Sequence, residues 1–335
     1  MSENSATTDV LASEHRDAGR PAVSPDAMLP CAECSRMNPP GRGACLYCGA
    51  PFAGAEGGGQ LQKPEHRSLE LWERGFNLIF RRSADPAMAD PDRIGPLLPS
   101  GSSHFKSVVE SGVRLPLARV ETQDEADRLS CALKDFGVES MVVSDADLDL
   151  EKSPVRLSRI IVGPLGFVFV DFNTASPITV AFDELALIVS GSVFSNKVDS
   201  TARKNLRGKS TLLEQVEVNA TEPILDLYTR HDPTGFRVRV LGFDFSCLAD
   251  LKGMIAENNL NILAEFLTIR APRAKLVDDY NEVRPLLDPV WQIHARKDAS
   301  GMRHVGIGKR GFGTVESVTN LNQFEKYSRL QWHLL

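Results

Sequence analysis

Aromatic residues are sparse in this 335-residue chain: with 16 Phe, four Tyr and three Trp they make up 7% of it. A large excess of either charge is also missing, with 38 Lys and Arg set against 44 Asp and Glu, a net of -6. Phosphate affinity comes from clustered Lys and Arg, so an acidic chain is a poor general nucleic-acid binder, which leaves room only for a local basic patch. No apolar run is long enough to cross a bilayer, which takes about 20 residues. The longest, residues 160–170, is broken by Gly163, Pro164 and Gly166. Residues 1–10 are polar and acidic and carry no basic segment followed by an apolar one, so no secretory signal is expected and a cytoplasmic location is. Internal repeats and coiled-coil heptads are missing too.

What is present is ordinary for a soluble globular protein: 42% hydrophobic and 24% charged residues. The length allows two or three domains with cores of their own.

The strongest local signal is four of the six cysteines. Cys31 and Cys34 form one CxxC, Cys45 and Cys48 a second, with ten residues between. In a reducing compartment, paired CxxC motifs favour metal over disulfides. Two such knuckles supply four thiolates, the tetrahedral set that Zn²⁺ prefers. Four protein ligands leave no open position for water, so the expected site is structural rather than catalytic. A redox CxxC would follow a strand and open a helix, and neither flank reads that way.

The segment Cys31-Ala-Glu-Cys34-Ser-Arg-Met-Asn38-Pro39-Pro40-Gly41-Arg42-Gly43-Ala-Cys45-Leu-Tyr-Cys48-Gly49 resembles the short bacterial zinc-ribbon family. Its spacing, with Asn38, is also similar to the RanBP2-type zinc finger. Met28-Leu29-Pro30 stands where those fingers carry a tryptophan. Arg36, Arg42 and Tyr47 are the candidate contact residues of the module.

Around it, residues 1–28 lack periodicity and read as a disordered tail. Residues 29–52 are the ribbon, and 53–110 read as a linker with one short helix at 66–82, glycine-rich at 54–59. A small α/β module follows at 111–152: a strand, a helix opened by a capping box at Thr122 and Glu125 and closed by Gly137, then a second strand at 138–143. This β-α-β pattern resembles a ferredoxin-like half-domain. Residues 155–271 read as successive short strands closed by a helix, which resembles a pleckstrin-homology (PH)-like barrel. Residues 199–210 read as a loop, and 273–319 as irregular. Residues 320–335 read as a final helix with Asn320 and Gln323 as capping candidates. The expected class is therefore α+β and multidomain.

Other motifs fail on their chemistry. Gly208-Lys209-Ser210-Thr211 ends like a P-loop, yet Arg203 occupies the position of the required first glycine. The same stretch, Arg203, Lys204, Arg207 and Lys209, is a compact basic run suited to an acidic partner or phosphate. Asp145, Asp147 and Asp149 open like a calcium loop, but Leu150 replaces the turn glycine and Arg156 the bidentate Glu. The glycine-rich 306–313 lacks strand–helix context and reads as a hairpin or loop. Cys131 and Cys247 read as small buried hydrophobes. The histidines, among them His66, His104, His231, His294, His304 and His333, are scattered, and no catalytic residue is identified.

These readings give a zinc-binding, non-enzymatic cytoplasmic adaptor that contacts a protein partner. A nucleic-acid binder using the ribbon and the basic run is the alternative. An enzyme whose site is assembled in space from the C-terminal body is a further one.

Overall fold

The computed structural model describes residues 29–38, 47, 69–83, 90–204, 210–306 and 309–335. The chain divides into two compact units, Met1–Gln62 and Lys63–Leu335. The tail at 1–28, Arg42, Cys45, Cys48 and residues 53–68 lie outside the described residues.

In the first unit, β1 (Leu29–Pro30) pairs antiparallel with β2 (Met37–Asn38). Cys31 to Cys34 sit in the turn between them. The Ser35 N–H donates to Cys31 O (2.8 Å) and the Cys31 N–H to Arg36 O (3.0 Å). Ser35 takes a left-handed φ of 58° to close this turn.

The second unit begins with a three-stranded sheet of order β4-β3-β5. Strand β3 (Phe76–Ser83) is antiparallel to β4 (Pro116–Val120) and to β5 (Val138–Ser144), so β4 and β5 run parallel. Helix α3 (Gln123–Asp135) makes the crossover and buries Ala126, Leu129 and Leu133. Its ends are as the sequence reads: Thr122 Oγ1 accepts from the Glu125 N–H, and Gly137 takes a φ of 72°. The helix expected at 66–82 is not formed, because residues 76–83 are the central strand. Phe76-Asn-Leu-Ile-Phe80 places apolar residues at spacings that suit either period, and a strand with Leu78, Ile79 and Phe80 all buried has no alternation to reveal it. The stretch 83–104, read as linker, also folds in part: Asp90 caps α1 (Pro91–Ile94), and α2 (Gly101–Ser111) packs Phe105 and Val108 into the core.

The large sheet has nine strands in the order β13-β14-β9-β10-β11-β6-β7-β8, with β12 on β9. The strands are β6 (Val155–Val162), β7 (Gly166–Asp171), β8 (Pro177–Ala181), β9 (Leu185–Lys204), β10 (Ser210–Thr229) and β11 (Phe236–Arg239), then β12 (Lys275–Val277), β13 (His294–Gly306) and β14 (Lys309–Thr319). It is mixed, since β11–β6 and β12–β9 are parallel. The α+β class is as expected, but this order does not establish a PH-like barrel at 155–271, and the sheet continues through strands beyond that range.

Residues 199–204 and 210 are strand rather than loop, and 273–319, read as irregular, holds β12, β13, β14 and α5 (Tyr280–Leu287). The helix expected to close residues 155–271 is two: a 3-10 helix (Phe245–Leu251) capped by Asp244, then α4 (Ala256–Arg270). The break contains Gly253, whose N–H and carbonyl are both bonded by the Asn259 side chain.

Strands β9 and β10 separate two cores. Leu187, Val189, Ile224 and Tyr228 face one, with the small sheet, α5 and α6 (Leu321–His333); Ile188, Leu225 and Leu227 face the other, with β6, β7 and α4. A strand buried on both sides reads as a continuous apolar run, and residues 185–189 are one. Gly191 sits where α5 and α6 land: a Cβ there would lie 2.6 Å from the Tyr280 ring and 2.7 Å from that of Phe324.

Candidate functional site

The second unit holds a cleft built where α6 meets the small sheet. The turn at 71–74 forms one wall, the loop after β5 another, and α6 the floor. Two cavities of about 260 and 360 Å³ share Leu71, Trp72, Leu150 and Lys326 as lining. Trp72 is 79% exposed, its indole standing at the mouth.

Asp145, at the end of β5, organises the polar wall. Its carboxylate accepts from the Gly75 N–H (2.9 Å), Asn77 Nδ2 (2.9 Å) and Arg119 Nε and Nη2 (3.0 and 2.6 Å). Asn77 in turn accepts from Trp291 Nε1 at 2.8 Å. Arg119 also donates to the carbonyls of Glu70 and Glu73, which ties the turn carrying Trp72 to β4. Burial alone would raise the Asp145 pKa; Lys326, Asn77 and Arg119 outweigh it and hold the carboxyl below its usual range.

Lys326 projects from α6 into this cluster and is 6% exposed. Its Nζ lies 3.8 Å from Asp145 Oδ1, beyond hydrogen-bond reach, and 5.9 Å from the Trp291 ring centroid. Burial pushes its pKa down to about 8; Asp145 opposes the shift and Arg119 adds to it. The adjacent Glu325 is held by Arg237 Nη1 at 2.6 Å, and Arg237 also makes a two-point pair with the fully buried Asp226.

A second feature lies on the large sheet. Beyond the cores, β13, β14, β9 and β10 continue as a four-stranded arm. The β14–β9 pairing alone runs from Thr319 opposite Ser195 to Phe312 opposite Ala202, about 27 Å of strand. Met302 pairs with Phe312, Phe312 with Ala202 and Ala202 with Leu212, so all four side chains stand on one face. Met302, Phe312 and Leu212 are 64%, 57% and 56% exposed. Exposed Val216 and Val218 occupy the opposite face.

The residues singled out from the sequence are placed as follows. Cys31 is buried and Cys34 half-buried on the β1–β2 turn, which fits one knuckle of a metal site. Among the described residues no group of three or more His, Cys, Asp or Glu gathers to hold an ion. Arg36 lies over the Tyr47 ring at 4.9 Å. Arg203 and Lys204 belong to the far end of β9, opposite Thr211 and Ser210, while Arg207 and Lys209 lie outside the described residues. Cys131 is exposed rather than buried, because it falls on the solvent side of α3. Cys247 is half-buried, and burial pushes its thiol up to about 11, which keeps it protonated and unreactive.

The cleft residues escape a sequence reading. Asp145 stands in an aspartate-rich turn that looks solvated, and Lys326 is one polar letter on an amphipathic helix. The faint signal is that Lys326 follows Phe324 and precedes Tyr327 on the face that α6 buries. No family model, no curated protein and no solved structure matches the chain.

Proposed function

We propose that this chain is a non-enzymatic, zinc-binding adaptor of the cytosol that works through protein–protein contacts. The observation that carries the reading is the Met302–Phe312–Leu212 row on the arm. Contiguous exposed apolar side chains cost solubility, and on a sheet face rimmed by charge they mark interaction surfaces. The Lys297–Glu316 pair, on the same face as Phe312, forms part of such a rim. A sheet face of this kind offers a flat, preorganised contact that loses little entropy on binding.

The zinc part rests on the cysteine pattern together with the tight turn that carries Cys31 and Cys34. In this reading Cys31, Cys34, Cys45 and Cys48 hold one Zn²⁺, which supplies folding energy to a module with almost no apolar core. The metal has no part in a reaction. The helices offer no further mode of membrane contact by spanning, since none among the described residues is long and apolar enough to cross a bilayer.

Affinity capture with quantitative mass spectrometry tests the reading, using wild type, the Met302→Ser/Phe312→Ser double variant and Cys45→Ser. The double variant is expected to lose a defined set of partners while keeping its unfolding midpoint, because both side chains are exposed. Identical partner sets from all three proteins would contradict the adaptor reading. Metal analysis of the same samples should find about one zinc per wild-type chain and a loss in Cys45→Ser, as a four-thiolate site requires; unchanged zinc content would refute the metal assignment.

A further inference from the structure

We propose that copies of this chain join head to tail through the arm, the β13 edge of one pairing with the outer β10 edge of the next as one continued sheet. The contact uses strand edges rather than the apolar face, and it does not rest on the adaptor reading.

The arm has two open edges. Among the described residues β13 is outermost and pairs only with β14. On the far side β10 pairs with β11 only over Ile224–Leu227, so from Leu212 to Thr221 its outer side meets no other described strand. That leaves about 33 Å of backbone with unpaired N–H and C=O groups, a template for another strand. Every residue of 212–221 and of 294–302 is exposed.

Direction, register and charge all fit. The four strands alternate in direction, so β13 and β10 run opposite ways, and a second arm laid alongside in the same orientation brings its β13 antiparallel to β10. Lys297, Glu316, Val198 and Glu217 form one row across the arm, and Met302, Phe312, Ala202 and Leu212 another on the same face. Continuing these rows sets Lys297 of one copy opposite Glu217 of the next, and Met302 opposite Leu212. The spacing agrees, because the extra residue at the β10 bulge, Leu213, is matched by Ser300 at the β13 bulge. The outer part of β10 carries Glu214 and Glu217 and no Lys or Arg, while β13 presents Arg296 and Lys297 against Asp298. Pairing β10 with β10 sets acid against acid, and β13 with β13 base against base; like charges across strands are destabilising. The favoured contact is therefore heterologous, which builds a ring or a filament rather than a two-fold dimer. Neighbouring strands turn by about 20–25°, so four strands swing the next body round by roughly 80–100°, away from the first.

Sedimentation velocity of the full-length protein over a concentration series tests the proposal, with wild type, Lys297→Glu, Glu217→Lys and an equimolar mixture of the two variants. Wild type is expected to form a concentration-dependent series of oligomers that extends beyond the dimer. Each single swap sets like charges across the contact and should weaken association by at least about tenfold, a difference of about 1.4 kcal/mol. The mixture should restore it, since every contact between unlike copies again joins a Glu to a Lys. Both positions are exposed, so unfolding midpoints should stay near that of wild type, and restoration in the mixture excludes a folding defect. A wild type that stays monomeric up to about 1 mM, the weak end of the affinity scale, would overturn the proposal. So would association that neither swap weakens, or a mixture that associates no better than its parts. Association lost in Met302→Ser/Phe312→Ser but kept in both charge swaps would place the contact on the apolar face and overturn it as well.

Discussion

The Asp145 carboxylate is the residue on which the second unit's polar interior turns. It bonds the backbone of Gly75, the side chain of Asn77 and the guanidinium of Arg119, which ties the turn before β3 to β4 and β5. Removing it leaves Arg119 and Lys326 as buried cations without a counter-charge. Breaking a buried pair from one side typically costs about 3–5 kcal/mol, so Asp145→Ala is expected to lower the unfolding free energy by about that much in urea titrations. A loss below about 1 kcal/mol would mean the cluster is solvated. Asp145 has a folded pKa below its ordinary value, so its contribution is present at neutral pH. It fades as pH falls below the usual carboxylate range, where the unfolded chain takes up the proton first. Wild type should therefore lose stability on acidification more steeply than Asp145→Asn. None of this is legible in the sequence, because Asp145, Asp147 and Asp149 look alike there. Burial and the distant Arg119 and Lys326 separate the first from the others.

Elements with a sharp local code were legible, and those coded by distant partners were not. The Thr122 cap, the closing Gly137 and the apolar stripe of α3 all sit within one helix length, and the structure has these as read, with Thr122 Oγ1 accepting from the Glu125 N–H. The same holds for α6, although the Asn320 side chain does not cap it. Asn320 instead donates to the Tyr280 hydroxyl and Ser192 O and accepts from the Phe194 N–H, pinning the helix start to β9 and α5. The outer halves of β9 and β10 were hidden because both faces of the arm are open, so polar residues such as Asn196, Ser200 and Gln215 fill positions that alternation would mark. The outer half of β9 pairs with β14, more than 100 residues away. At the landing point of α5 and α6, Gly191 is required by contact: its missing Cβ makes room for Tyr280 and Phe324. Gly191→Ala is expected to cost about 1–3 kcal/mol by overpacking, read as a lowered unfolding midpoint. An unchanged midpoint would show that the two helices yield freely.

At the scale of the whole molecule, the cysteine module and the folded body divide the work in this account. The sequence points to the proposed module through four letters at fixed spacing, and it gives no sign of the apolar row on the arm. Met302, Phe312 and Leu212 are far apart in the chain and meet only through the β13–β14–β9–β10 register. The arm carries the central claim, since it joins an apolar row to an exposed four-stranded support. Site-specific photo-crosslinking in cells tests it most directly, with benzoylphenylalanine replacing Phe312 in one protein and Leu165 in another. Leu165 is 82% exposed on the β6–β7 turn, away from the arm, and serves as the control. The account predicts a discrete crosslinked partner from position 312 and none of that partner from position 165. The same products from both positions, or no product from position 312, would contradict it.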